Sequence, residues 1–94
     1  MKVYISGPIE GEEWYMNHFE DAEEGLKAEG YEVVNPAKDD EEAPETTYKE
    51  FIDRDLALLA GCDAIYMLRG WRKSRGARLE HMYAKITEMW ISYQ

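Results

Sequence analysis

Ala64–Leu68, AIYML, is five apolar residues in a row with no polar alternation. A strand with that pattern is buried on both faces, as happens in parallel sheets covered by helices on each side. The segments around it fit the same architecture. Lys2–Ser6, KVYIS, is a β-branched and aromatic run closed by Gly7-Pro8; Tyr31–Asn35, YEVVN, is stopped by Pro36; Trp90–Tyr93 makes a short last strand. Between the strands lie stretches of helical period. Tyr15, Phe19, Ala22 and Leu26 predict an amphipathic helix over Tyr15–Glu29 with an acidic outer face, ended by Gly30. The next helix opens on a capping box, Thr47 with Glu50, and carries the stripe Tyr48, Phe51, Ile52, Leu56 and Leu59. The third places Leu79, Met82, Tyr83, Ile86 and Met89 on one face. Lys38–Glu45 is polar, acidic and aperiodic, an expected mobile loop.

The order is therefore β-α-β-α-β-α-β, with connections long enough for parallel crossovers. Right-handed crossovers favour a small doubly wound α/β domain over residues 1–94, with a four-stranded parallel sheet in the order 2-1-3-4. In that order the loops after the first and third strands diverge to opposite faces, and the crevice between them is where ligands bind. Those loops are Ser6–Gly11 and Gly70–Gly76.

The second of these loops is chemically distinct. The chain carries a net charge of −9, yet Arg69, Arg72, Lys73, Arg75 and Arg78 are five of its eleven basic residues, and Glu80 is the only carboxylate beside them. With Gly70, Ser74 and Gly76 in the same stretch, GWRKSRGARLE reads as a strand-to-helix loop. Free backbone N–H groups and a positive helix end meet a small anion there, and guanidinium groups reinforce it. The same residues also fit a solvated loop face. Glu80 is expected in the first turn of the helix, where the dipole favours the ionised carboxylate.

Asp55 interrupts an apolar stripe, four after Phe51, three after Ile52 and four before Leu59. A carboxylate buried there without a partner would cost several kcal/mol. Asp55 is therefore expected to meet a buried donor, to face a cavity, or to pair with Arg54 or a backbone amide. Asp63 precedes the third strand and reads as a residue that caps or ties the loop.

Other features exclude whole classes. Aromatic residues at 13% and apolar residues at 45% exclude a disordered chain, and no apolar run approaches the roughly 18 residues of a membrane span. A charge of −9 argues against long nucleic acid, because its phosphates would be repelled over most of the surface. The lone Cys62 forms no internal disulfide and reads as a small buried residue in a cytoplasmic protein. His18 and His81 stand at no metal-ligand spacing, so neither a metal nor another cofactor is expected. Several aromatic residues on a small domain make a homodimer the default assembly.

ISGPI near the start, YKEFIDRDLALLAGCDAIYML in the middle and GWRKSRGARLE together resemble the nucleoside 2-deoxyribosyltransferase-like superfamily, in particular its short bacterial and phage branch. The resemblance covers nearly the whole chain. It implies a compact flavodoxin-like domain whose relatives exchange the base of 2′-deoxynucleosides or hydrolyse the N-glycosidic bond of deoxynucleoside 5′-monophosphates. By position it implies that Glu80 is the catalytic glutamate that attacks the anomeric carbon. Asp55 would handle the proton on the leaving base or position the sugar, and Asp63 would support the site. Ser6, Gly7, Pro8, Ile9, Gly70, Ser74 and Gly76 would hold the sugar and its 5′ end, and Tyr4 lies near positions that orient the site.

The chemistry suits those residue types. Glycosidic cleavage passes through an oxocarbenium-like state that an ionised carboxylate stabilises, and a second carboxyl that keeps its proton can protonate the departing base. From the sequence, Glu80 is expected to be the ionised member and Asp55 the proton holder. The charge of Arg72, Lys73 and Arg75 favours a phosphorylated ligand, whereas the acidic GEEWYMN segment disfavours it. Trp14, Tyr15 and Trp71 could stack on a base or simply pack. Three readings follow: a glycosidic-bond enzyme acting on a small nucleoside or nucleotide, a nucleotide-binding protein without turnover, and an interaction domain that keeps the motifs as fold residues.

Overall fold

The computed structural model describes residues 1–38 and 47–94. The acidic connection read over Lys38–Glu45 lies, apart from Lys38, outside the described residues. Strands β1 (Lys2–Ser6), β2 (Glu32–Val34), β3 (Ala64–Met67) and β4 (Trp90–Tyr93) alternate with helices α1 (Tyr15–Ala28), α2 (Tyr48–Ala60) and α3 (Arg75–Ile86). All pairings are parallel, and the sheet order is β2-β1-β3-β4, as expected from the alternation. The fold is that of a small flavodoxin-like domain. Among the described residues no helix is long and apolar enough to cross a membrane.

Strand alternation sorts the core into two layers. Tyr4, Ile65 and Met67 face α2 and α3, where they pack with Leu59, Ala77 and Ala84; Ile5 faces α1 and packs with Phe19, Ala37 and Leu68. β3 is buried at Ala64, Ile65 and Met67, in keeping with its unbroken apolar sequence.

Two elements differ from expectation. β2 is shorter than Tyr31–Asn35 because both end residues have other partners: the Tyr31 N–H donates to Leu26 O, closing α1, and Asn35 Oδ1 accepts from the Ala37 N–H. α3 starts at Arg75, four residues before its apolar run, because the Ser74 hydroxyl caps it by accepting from the Ala77 N–H at 3.2 Å. The face of α3 is also corrected. Ala77, Glu80 and Ala84 are its buried residues, while Leu79, Met82 and Ile86 point to solvent. Two alanines let the helix approach the sheet closely, and the larger apolar side chains are left outside.

Glu23 fastens the chain after β2. It is buried on α1 and accepts from Asn35 Nδ2 at 3.1 Å and from Lys38 Nζ at 2.9 Å, with Lys27 one turn away as an ion pair. Burial alone would raise its pKa, but the bonds from Lys27, Lys38 and Asn35 prevail and hold it at about 2, below the ordinary 4.5. A depressed folded-state pKa contributes stability above pH 4.5 that is lost as pH falls through about 2. Both lysines are more than half exposed, which weakens the pairs. Glu23→Gln is accordingly expected to destabilise by about 1–2 kcal/mol at neutral pH, with the gap narrowing in acid, as read by urea unfolding.

Candidate active site

A cleft of about 400 Å³ opens at the carboxyl ends of β1 and β3, between the two loops that the strand order singled out. Gly7, Ile9 and Glu10 line it from the first loop; Lys73, Ser74, Arg75 and Gly76 line it from the second. The walls are Tyr15 of α1 and Tyr48, Phe51, Ile52 and Asp55 of α2, and Glu80 forms part of the base. The apolar stripe of α2 thus serves as cleft wall at its start and as core at Leu59.

The loops come together through two glycines. A Cβ on Gly7 would stand 2.8 Å from the Leu68 Cβ, closer than side chains pack, so only glycine lets the first loop lie against the end of β3. Gly70 turns the chain with φ of +86°, beside Pro8. A 3-10 turn over Trp71–Lys73 then leads to Ser74 and α3. Pro8 and Gly70 therefore shape the loops without lining the cleft.

Glu80 is 6% exposed and both of its oxygens are engaged. The Tyr4 hydroxyl donates to Oε2 and the Ser6 hydroxyl to Oε1, each at 2.6 Å. Tyr4 and Ser6 reach the same carboxylate because they are two apart in β1 and share its α3-facing side. Glu80 is the sixth residue of α3 rather than a first-turn residue, so the expectation that a helix end keeps it ionised is corrected. Burial pushes its pKa up to about 7; the Ser6 and Tyr4 hydroxyls oppose that rise, and the negative charge of Asp55 adds to it. Tyr4 in turn is raised well above 10, by burial first and then by the neighbouring Glu80.

Removing one hydroxyl tests this balance. Tyr4→Phe is expected to move the Glu80 midpoint upward by about 1 pH unit, since hydrogen bonds to charged groups contribute about 1.5–3 kcal/mol. Carboxyl-carbon magnetic resonance titration reads it directly, and an unchanged or lower midpoint would contradict the assigned role of the hydroxyl.

Asp55 meets two of its expected surroundings at once. It is 9% exposed on the cleft wall, and Arg54 Nη2 donates to its Oδ1 at 3.1 Å. The Arg54 guanidinium lies over Phe51, 4.9 Å from the ring centre. The basic loop divides its labour. Lys73 and Arg75 line the cleft, Arg75 resting over Tyr48 at 4.4 Å and 3.8 Å from the Glu10 carboxylate; Arg72 lies over Trp71 and points elsewhere.

Asp63 is not brought to the site. It lies at the amino-terminal end of β3, where its carboxylate accepts from the Lys2 N–H at 2.9 Å, the tie that the residue itself suggested. Trp71 stacks on His81 at 4.2 Å between ring centres, and His81 Nε2 is 2.7 Å from the Tyr93 hydroxyl, so neither Trp71 nor His81 is a free surface group. Of the three aromatics considered for stacking, Tyr15 lines the cleft and Trp14 is exposed. Glu10, Tyr48 and Phe51 are cleft residues that the sequence did not single out as such. Among the described residues no group of three His, Cys, Asp or Glu is placed to hold a metal ion.

A family model described as a domain of unknown function, DUF4406, matches residues 1–93. The chain belongs to this family. No curated protein and no solved structure matches it. The cleft of this DUF4406 domain thus joins one buried carboxylate held by two hydroxyls, a second carboxylate on the wall, and a cationic start to α3.

Proposed function

We propose that this protein cleaves, or exchanges the base of, a small 2′-deoxynucleoside or its 5′-monophosphate through Glu80. The observation that carries the reading is the meeting of Glu80, Asp55 and the start of α3 in one cleft. The sequence resemblance supports it by assigning the same two carboxylates. One Glu80 oxygen attacks the anomeric carbon as the N-glycosidic bond breaks, and the bonding electrons leave with the base nitrogen. The Asp55 carboxyl gives that nitrogen its proton and is left as a carboxylate. Water, or the nitrogen of a second base, then attacks the anomeric carbon as its bond to Glu80 breaks; the proton it sheds returns to Asp55, and Glu80 is freed as a carboxylate. Lys73, Arg75 and the first turn of α3 suit a 5′-phosphate or 5′-hydroxyl, and Tyr15 and Tyr48 offer rings to the base.

One observation favours binding without turnover: both Glu80 oxygens already accept hydroxyl bonds, so attack requires one of them to be released. A single experiment separates the readings. The protein and its Glu80→Ala variant are incubated with the four deoxynucleoside 5′-monophosphates and the matching nucleosides, and free base is followed by chromatography. Base released by the wild type alone supports the enzyme. Saturable binding by both proteins with no base from either supports the binding protein, and absence of binding and release overturns both.

A further inference from the structure

Among the described residues β4 forms one edge of the sheet, and no other element pairs with its outer side. The Gln94 N–H donates to Met67 O. By strand alternation the backbone groups of Trp90, Ser92 and Gln94 face β3, while the N–H and C=O of Ile91 and Tyr93 point outward. Exposed edges are ordinarily blunted by charge, proline or brevity. β2, at the other edge, has three residues, begins with Glu32 and is followed closely by Pro36. WISYQ, residues 90–94, has no charge and no proline, and Trp, Ile and Tyr are strong strand formers. Trp90 is 72% and Tyr93 55% exposed.

Charge ranks the symmetric contacts that two copies can make. Residues 1–63 carry 18 acidic and 5 basic side chains, whereas residues 64–94 carry 2 acidic and 6 basic, and one of those two acids is the buried Glu80. A symmetric contact through residues 1–63 would set a net −13 (5 − 18) against −13, whereas one through β4 sets the far smaller +4 (6 − 2) of residues 64–94 against its like.

We infer that β4 pairs antiparallel with β4 of a second copy about a two-fold axis at Ser92, joining two four-stranded sheets into one of eight. In that register the outward groups of Ile91 and Tyr93 bond to those of Tyr93 and Ile91 in the second copy. Ser92 faces Ser92 as a pair without backbone bonds, the closer of the two antiparallel spacings. The exposed parts of Trp90 and Tyr93 in two copies amount to roughly 400–600 Å², taking about 150–250 Å² per aromatic side chain. The strand edges with Ser92 and Gln94 extend this towards the roughly 1,000 Å² of a specific interface. The inference stands independently of the proposed chemistry.

Light scattering on the eluted wild-type protein is expected to give twice the 11.0 kDa chain mass. Ser92→Lys sets two ammonium groups against each other at the axis and is expected to halve that mass while the circular dichroism spectrum stays unchanged. In a Cys62→Ser background, Ser92→Cys is expected to form a disulfide-linked dimer under mild oxidation, whereas Glu24→Cys on the outer face of α1 is not. A wild-type monomer overturns the inference, as does a dimer that survives Ser92→Lys with no cross-link at position 92.

Discussion

On the proposed chemistry, replacing Glu80 by glutamine is expected to lower base release by roughly 10³-fold or more, because the amide neither attacks the anomeric carbon nor offsets positive charge there. The substitution is nearly isosteric, so the cleft and the capping of α3 by Ser74 are retained. The proposed reaction would also carry a predictable pH dependence. Attack needs the carboxylate, and Glu80 titrates at about 7, so base release should rise with pH through that value rather than through the usual carboxylate range near 4.5. A rate already at its plateau well below pH 7, or a Glu80→Gln variant that retains turnover, would remove Glu80 from the chemistry.

The same substitution is expected to make the protein more stable at alkaline pH. A carboxyl whose folded-state pKa is raised from 4.5 to about 7 contributes stability that is fully present below pH 4.5 and lost as pH rises through 7. The loss amounts to about 3 kcal/mol once the group is ionised, at 1.36 kcal/mol per pKa unit. Glutamine undergoes no such ionisation, and the Tyr4 and Ser6 hydroxyls can rotate to donate to its oxygen or accept from its nitrogen. Above pH 7 the variant should therefore unfold at a higher temperature than the wild type, by about 10 °C or more given about 4–8 °C per kcal/mol in a domain of this size. Below pH 4.5 the two should converge. Stability curves that stay parallel across this range would show that burial of Glu80 carries no electrostatic strain. If the expected crossover is observed, the chain sacrifices stability at this position, as sites built for chemistry commonly do.

The strand order was legible because it follows from few residues. AIYML demands helices on both sides, KVYIS and YEVVN supply two more strands, and the intervening helical periods leave parallel crossovers as the simplest connection. The cleft was legible for the same reason, as the place where loops after β1 and β3 part. The orientation of α3 was not. Periodicity weighs large apolar side chains, and Leu79, Met82 and Ile86 outweigh Ala77 and Ala84, although the small residues are the ones that dock on the sheet. Nor was the protonation of Glu80 legible from its neighbours in sequence, since its environment is set by Tyr4 and Ser6, 76 and 74 residues away. One signal for that contact was present: Tyr4 and Ser6, polar-tipped and two apart, share one face of a strand whose other face is Val3 and Ile5. Asp63 shows the opposite failing, where position in a motif pointed to the site and geometry tied the residue to Lys2 instead.

The pairing of β1 with β3 has a consequence for how the chain reaches this state. Val3 registers with Ala64 across 61 residues, and among the described residues no strand pairs with a near neighbour in sequence through a tight hairpin. During synthesis β1 emerges before β3 and cannot complete its hydrogen bonds until α1, β2, α2 and β3 have left the ribosome, and Tyr4 waits longer still for Glu80. Folding dominated by such distant closures is slow and late. The buried carboxylate consequently meets the two hydroxyls that hold it only once α3 has docked, so a chain cut after β3 should retain Tyr4 and Ser6 yet lack the group that accepts from them.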